Sequence, residues 1–248
     1  MAYQWDWQVF CKDTIDGEIV RGCFGGADAR TYLDWMLSAW GWTLSVAACA
    51  WVVALLLGSL MGTLRTVPSK PLQWLGNAWV ELFRNIPLLV QLFLWYHVIP
   101  ALLPVMKGVS PFVLVVFGLG FFTSARVAEQ VRAGIQSLPR GQMMAGSAMG
   151  LTLPQTYRFV VLPMAFRIVL PPLTSEAMNI IKNSSVAFAV SIAELTQFAM
   201  QAQEETSRGI EVYLGVTALY IVSALAVNRV MAFIEKRVRV PGYVGGGK

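Results

Sequence analysis

Few residues in this chain have the types and spacing that chemistry requires. There is one histidine, His97, and there are three cysteines. The sequence has no H-E-x-x-H pair to hold a catalytic zinc and no G-x-S-x-G turn to present a serine. It also lacks the G-x-x-x-x-G-K-[ST] loop that cradles nucleotide phosphates. No catalytic residue, metal ligand or cofactor is expected from this chain. What stands out instead is a set of polar residues within an apolar region: Glu176, Asn179, Lys182, Asn183, Ser184 and Ser185, with Glu194 beyond. Charges at membrane depth are costly and point by default to a polar passage. Lys182 with its amide and hydroxyl neighbours is expected to border such a passage and to favour an anionic solute. The alternative is an ion pair with Glu176, but residues six apart do not share a helix face. Glu194 reads equally as an external gate or as packing.

A second stretch, Arg140 to Pro163, is polar and basic between apolar runs. Ala145, Ala148 and Met149 fall on one side of a short helix, and Gly150 is placed to stop it as a C-terminal cap. Thr152 and Gln155 have the spacing of a capping box for a second short helix, with Pro154 in its first turn. The product is a helix–turn–helix presenting small residues, suited to a partner's groove.

These elements need a scaffold, and composition says what kind. Hydrophobic residues are 56% and charged residues 13%, with mean hydropathy +0.58. Soluble domains carry about 25% charged residues. The apolar residues come in runs, so the expected class is an all-α membrane protein with five spans. The spans are placed at about residues 35–64, 87–103, 111–132, 164–200 and 212–234, within a domain of residues 35–240. Residues 1–34 form an external tail whose Trp5, Trp7 and Phe10 suit a short interfacial helix. Cys11 and Cys23 share that tail and would pair if it lies in an oxidising compartment. Residues 241–248 form an inner tail.

Particular breaks are expected. Gly58 and Gly62 make a small-xxx-small surface for close helix approach. Pro68 and Pro71 interrupt the chain after the first span, and Asn85 with Pro87 reads as the start of the second. Gly134 and Pro139 are expected to end the third. The fourth segment is too long for one crossing, since some 36 residues of helix extend about 54 Å. Pro171–Pro172 and Asn183–Ser185 are its expected breaks. Gln201 to Arg208 reads as a polar external loop. Of 19 Lys and Arg, thirteen fall on one side of this scheme, five on the other and Lys182 within. That asymmetry orients the chain N-out and C-in and argues for membrane orientation over nucleic acid as the reason for its net charge of +5.

The polar stretch resembles the E-A-A signature of permease subunits of type I ABC importers: three residues, Gly, nine residues, then I-x-L-P. Met144-Ala145-Gly146, Gly150 and Val160-Val161-Leu162-Pro163 match its spacing. Met144 replaces the signature Glu and Gly146 its second Ala. Glu81 to Gln91 is similar to the E-F-F-R-x-T-P-L-L-V-Q segment of polar amino-acid permeases. Ile181-Lys182-Asn183-Ser184-Ser185 is similar to their L-K-D-T-S element, with Asn183 in place of Asp. The resemblance runs from about Trp35 to the C-terminus and leans to the glutamate/aspartate branch.

It implies a bacterial inner-membrane importer subunit and a set of partners. These are a cytoplasmic ATPase dimer carrying ATP and Mg, a second permease subunit (a different homologous chain or a second copy), an extracytoplasmic amino-acid-binding protein and membrane lipid. It further implies that Gly141, Ala145, Gly146, Ala148, Met149, Gly150, Leu151, Thr152, Gln155, Leu162 and Pro163 couple to the ATPase. A stand-alone secondary transporter or channel is the competing reading, as is the same role with glutamine.

Overall fold

A computed structural model describes residues 3–25 and 30–238, without the Arg140 side chain. The expected tail 241–248 and the last two residues of the expected domain 35–240 lie outside the described residues. Most of the described residues are helical, and two isolated antiparallel bridges lie near the N-terminus.

The first long helix, α1, spans Tyr32–Leu64. Thr31 and Asp34 form a reciprocal capping box at its start, satisfying N–H groups that a helix start leaves free. Its buried face recurs at helical spacing through Met36, Ala39, Thr43, Val46, Ala47, Ala50 and Ala54. This face meets α4 (Pro111–Gln136), the most extensive helix pair in the molecule. The contact depends on small residues. A Cβ on Gly58 would lie 2.5 Å from the Val127 Cβ, and one on Gly62 2.7 Å from the Ala128 carbonyl. Gly134 lies inside α4, so it does not end the helix; it gives room to Val169.

Between them lies an element not foreseen as a helix, α2 (Lys70–Asn85). Pro71 starts it, in keeping with the preference of Pro for a first turn. The chain then turns through 103° into α3 (Leu88–Leu102). Asn85 is therefore the last residue of α2 and caps nothing in α3; its side chain donates to Glu81 Oε2 at 2.9 Å. Pro87 ends the run, because the residue before a proline is pushed out of helical geometry. Buried Gln91 holds the corner: its Nε2 donates to the Phe83 and Ile86 carbonyls at 2.7 and 3.0 Å. A π turn, Leu94–Val98, carries His97, which packs edge-on to Tyr96.

After α4 come α5 (Arg140–Ala148) and the composite α6 (Leu153–Val190). The α-helical run Leu162–Asn183 within α6 contains Pro171 and Pro172 without interruption, against expectation. The expected second break is present: the helix tightens to a 3₁₀ run at Ser184–Val190, and Ser191 closes it in a left-handed conformation. The chain resumes as α7 (Leu195–Thr206), so the expected loop at Gln201 to Arg208 is largely helix. The last helix is α8 (Gly209–Val238). Among the described residues four helices (α1, α4, α6 and α8) are long and apolar enough to cross a membrane, and five if the bent pair α2–α3 counts as one span. Helix α4 is central, with 61% of its apolar window buried, against 22% for the peripheral α8.

The N-terminal segment folds as a small cap. A 3₁₀ turn at Trp7–Cys11 replaces the expected interfacial helix, and Cys11 and Cys23 form a disulfide. Buried Asp13 accepts from the Ile15 and Arg30 backbone N–H groups at 2.6 and 3.1 Å. Glu211, at the start of α8, accepts from the Asp6 backbone N–H at 2.8 Å. Arg208 donates to the Gln4 carbonyl at 2.8 Å.

Candidate functional site

The expected docking element is built as a motif of two caps. Helix α5 ends in a Schellman arrangement: the Leu151 N–H donates to the Gly146 carbonyl at 3.1 Å and the Gly150 N–H to the Ser147 carbonyl at 3.0 Å. Gly150 has φ +77°, the left-handed geometry that favours glycine. Two residues on, Gln155 Oε1 accepts from the Thr152 N–H at 2.8 Å and from its hydroxyl at 2.9 Å, opening α6.

Gly141, Ala145, Ala148, Met149 and Gly150 are all exposed, as are Thr152, Gln155 and Pro163; Leu151 and Leu162 are half-buried. Gly146 differs. It is buried, and a Cβ there would lie 2.7 Å from the Thr156 Cγ2. Its place is the seam between α5 and α6, while the Ala145, Ala148 and Met149 side chains stay free for a partner. Tyr157 anchors the start of α6, its hydroxyl 3.2 Å from Thr66 Oγ1 beyond the end of α1.

The second expected cluster divides. Lys182 and Ser185 line a groove of about 330 Å³, joined by Thr196, Thr217 and Tyr220. Lys182 is exposed, and the Ser185 hydroxyl donates to the Lys182 carbonyl. Ser184 is buried and its hydroxyl is turned back to the Ile181 carbonyl at 2.7 Å. Asn179 and Asn183 are half-buried and do not line the groove. Glu176 is not a partner of Lys182. It is buried within 3.9 Å of Arg126 Nη1, on α4.

Glu194 is fully buried and works as a cap. It accepts from the Thr196 and Gln197 backbone N–H groups at 2.8 and 3.0 Å and from the Tyr220 hydroxyl at 3.0 Å. Residues missed from the sequence are Thr196, Thr217 and Tyr220. They come from α7 and α8, and no local pattern joins them to Lys182. Among the described residues no group of His, Cys, Asp or Glu is placed to hold a metal.

The helical bundle, with its exposed capped helix between two spanning segments, defines a membrane transport subunit. The chain belongs to the family described as binding-protein-dependent transport system inner membrane component, whose model matches residues 54–240. Among its relatives, the glutamate/aspartate import permease protein GltJ of Escherichia coli O6:H1 is 43% identical, covering 99% of this chain and all of that one. The glutamate/aspartate import permease protein GltK of the same strain is 29% identical over 83% of this chain and 94% of its own. In the solved structure of an amino acid ABC transporter with histidines, a chain 30% identical superimposes with a TM-score of 0.72. The match covers 83% of this chain and 95% of that one.

Proposed function

We propose that this chain is a pathway-forming permease subunit of an ATP-driven importer for an acidic amino acid, glutamate or aspartate. The observation that carries the reading is the exposed helix α5 with its Schellman end at Gly150, on a chain that matches a glutamate/aspartate permease along its whole length. Helix α5 seats in a cytoplasmic ATPase, which supplies ATP and Mg chemistry. An extracytoplasmic binding protein delivers the solute. The partner permease is a different chain of the same kind, supported by the presence of GltJ and GltK in one strain. The N-terminus faces out and the α5 end faces the cytoplasm.

Within the pathway, Lys182 supplies the positive charge for an acidic side chain, and Ser185, Thr196 and Tyr220 supply hydroxyls around it. A lone cation in a low-dielectric groove attracts a carboxylate more strongly than it would in water.

The test is reconstitution of the chain with its ATPase, partner permease and binding protein in vesicles. Glutamate and aspartate are expected to stimulate ATP hydrolysis and to accumulate inside, with glutamine a poor competitor. Lys182→Gln should raise the concentration needed for half-maximal stimulation by about tenfold, the scale of one charge-assisted contact. Unchanged stimulation would remove Lys182 from the pathway, and stimulation by glutamine alone would overturn the assignment of substrate.

A further inference from the structure

A cavity of about 730 Å³ opens at the end of the bundle that carries α5. The C-terminal ends of α1 and α4, helix α5 and the first turns of α6 wall it. Arg65, Arg132, Thr66, Gln73, Gln136 and Ser147 face it.

The charges around it do not balance. Arg65 donates from Nε to Asn77 Oδ1 at 2.7 Å and reaches Glu129 Oε1 at 3.4 Å. Arg84 lies 3.2 Å from the same oxygen and 2.9 Å from Glu81. Two carboxylates are thus taken up by two arginines. Arg132, one turn beyond Glu129 on α4, has no ion pair or hydrogen bond among the described residues. Its Nε is shut off from solvent without a partner. The Arg65 guanidinium is pushed down by burial and by the nearby Arg132 charge, so the two cations act on each other across this end of the bundle. A donor shut off from solvent without a partner is costly, and Arg132 is half-buried. An oxyanion offering several acceptors fits the planar fork of arginine.

We propose that this cavity binds the phosphate group of an anionic membrane lipid, held by the unpartnered Arg132 guanidinium, with the nearby Arg65 adding positive charge and Ser147 in the wall. Basic pockets between spanning helices are a recurring seat for such headgroups. The lipid source is favoured over free phosphate by the apolar surface beside the cavity. Leu72, Trp74 and Leu75 flank Gln73 on α2 and are exposed, with Trp74 at 72%. They offer a bed for acyl chains. Because Ser147 belongs to α5, a lipid seated here ties the docking helix to the ends of α1 and α4. The site is independent of which amino acid is carried.

The purified importer complex in mild detergent, titrated with phosphatidylglycerol and read by native mass spectrometry, tests this. Wild type should retain the lipid, Arg132→Gln should bind it about tenfold more weakly, and Arg229→Gln, on α8 away from the cavity, should match wild type. Gln136→Glu, which places a negative charge at the mouth, should show the same loss as Arg132→Gln. Melting in neutral phosphatidylcholine checks that each variant is folded. Inorganic phosphate that raises the wild-type melting temperature while no lipid is retained would keep the oxyanion site but overturn its lipid source. Equal lipid retention by all four proteins, with no effect of phosphate on any, would overturn the site altogether.

Discussion

The two ends of this molecule are held together in different ways. At the end with the N-terminal cap, buried carboxylates gather backbone groups: Asp13 within the cap, Glu211 between the cap and α8, and Glu194 at the start of α7. A disulfide closes the cap itself. At the other end, α5 has no buried carboxylate of its own and rests on a glycine seam, a Schellman turn and a glutamine-closed capping box. One end is made rigid by charge-assisted bonds. At the other, α5 itself is shaped by backbone geometry and leaves Ala145, Ala148 and Met149 exposed. The docking role proposed for α5 would need a defined outline and an exposed surface, and the helix has both.

Substitutions can break this contrast. The largest effect is expected at Gly150. Valine there would place a β-branched residue at φ +77°, which L-residues avoid. The α5 end should lose its outline, and the amount of ATPase co-purifying should fall at least tenfold, while the N-terminal cap keeps its disulfide and the chain still inserts. Wild-type co-purification would show that the turn is dispensable.

Next is Glu194→Ala, which takes away the buried acceptor of the Thr196 and Gln197 N–H groups and of the Tyr220 hydroxyl. A loss of about 2–3 kcal/mol is expected, read as a lower melting temperature with ATPase docking intact. A drop in docking as large as the drop in stability would erase the distinction between the ends.

A smaller effect sharpens the picture at the seam. Gly146→Ala should weaken α5 packing by about 1 kcal/mol through contact with Thr156, and Thr156→Ala in the same chain should restore most of it. Failure of the second change to rescue the first would place the clash elsewhere.

The smallest effect is that of pH on the cap. Lys12 donates to Asp6 and holds its carboxyl below the usual range, so this contribution is present above the unfolded carboxylate value. It fades as pH falls through the lowered value. The protection of the Gln8 amide, whose N–H bonds to Asp6, should fall in acid once exchange is corrected for its intrinsic dependence on pH, and Asp6→Asn should remove that loss.

What the sequence made legible was local. The caps at Gly150 and Thr152, the small-residue face of Gly58 and Gly62, and the break at Asn183–Ser185 each follow from residues near in the chain. Three readings failed where tertiary packing overrode a local rule. Pro171 and Pro172 stay inside one helix, Gly134 makes room for Val169, and Asn85 finishes a helix through its contact with Glu81. Helix α2 was missed because one pattern of prolines reads equally as a break or as a first turn. The groove around Lys182 gathers residues from three helices, and only the folded chain brings Tyr220 beside it. Glu194 read equally as a gate or as packing because an acid amid apolar residues is ambiguous until its N–H partners are known.

The corner between α2 and α3 carries a mechanical consequence. One side-chain amide serves two carbonyls there, and it reaches both only while the 103° turn is kept. Straightening the corner would leave two acceptors facing apolar surroundings. The amphipathic arm and the span beyond it are therefore a bracket rather than a hinge, and a tilt imposed on either limb is delivered undiminished to the other.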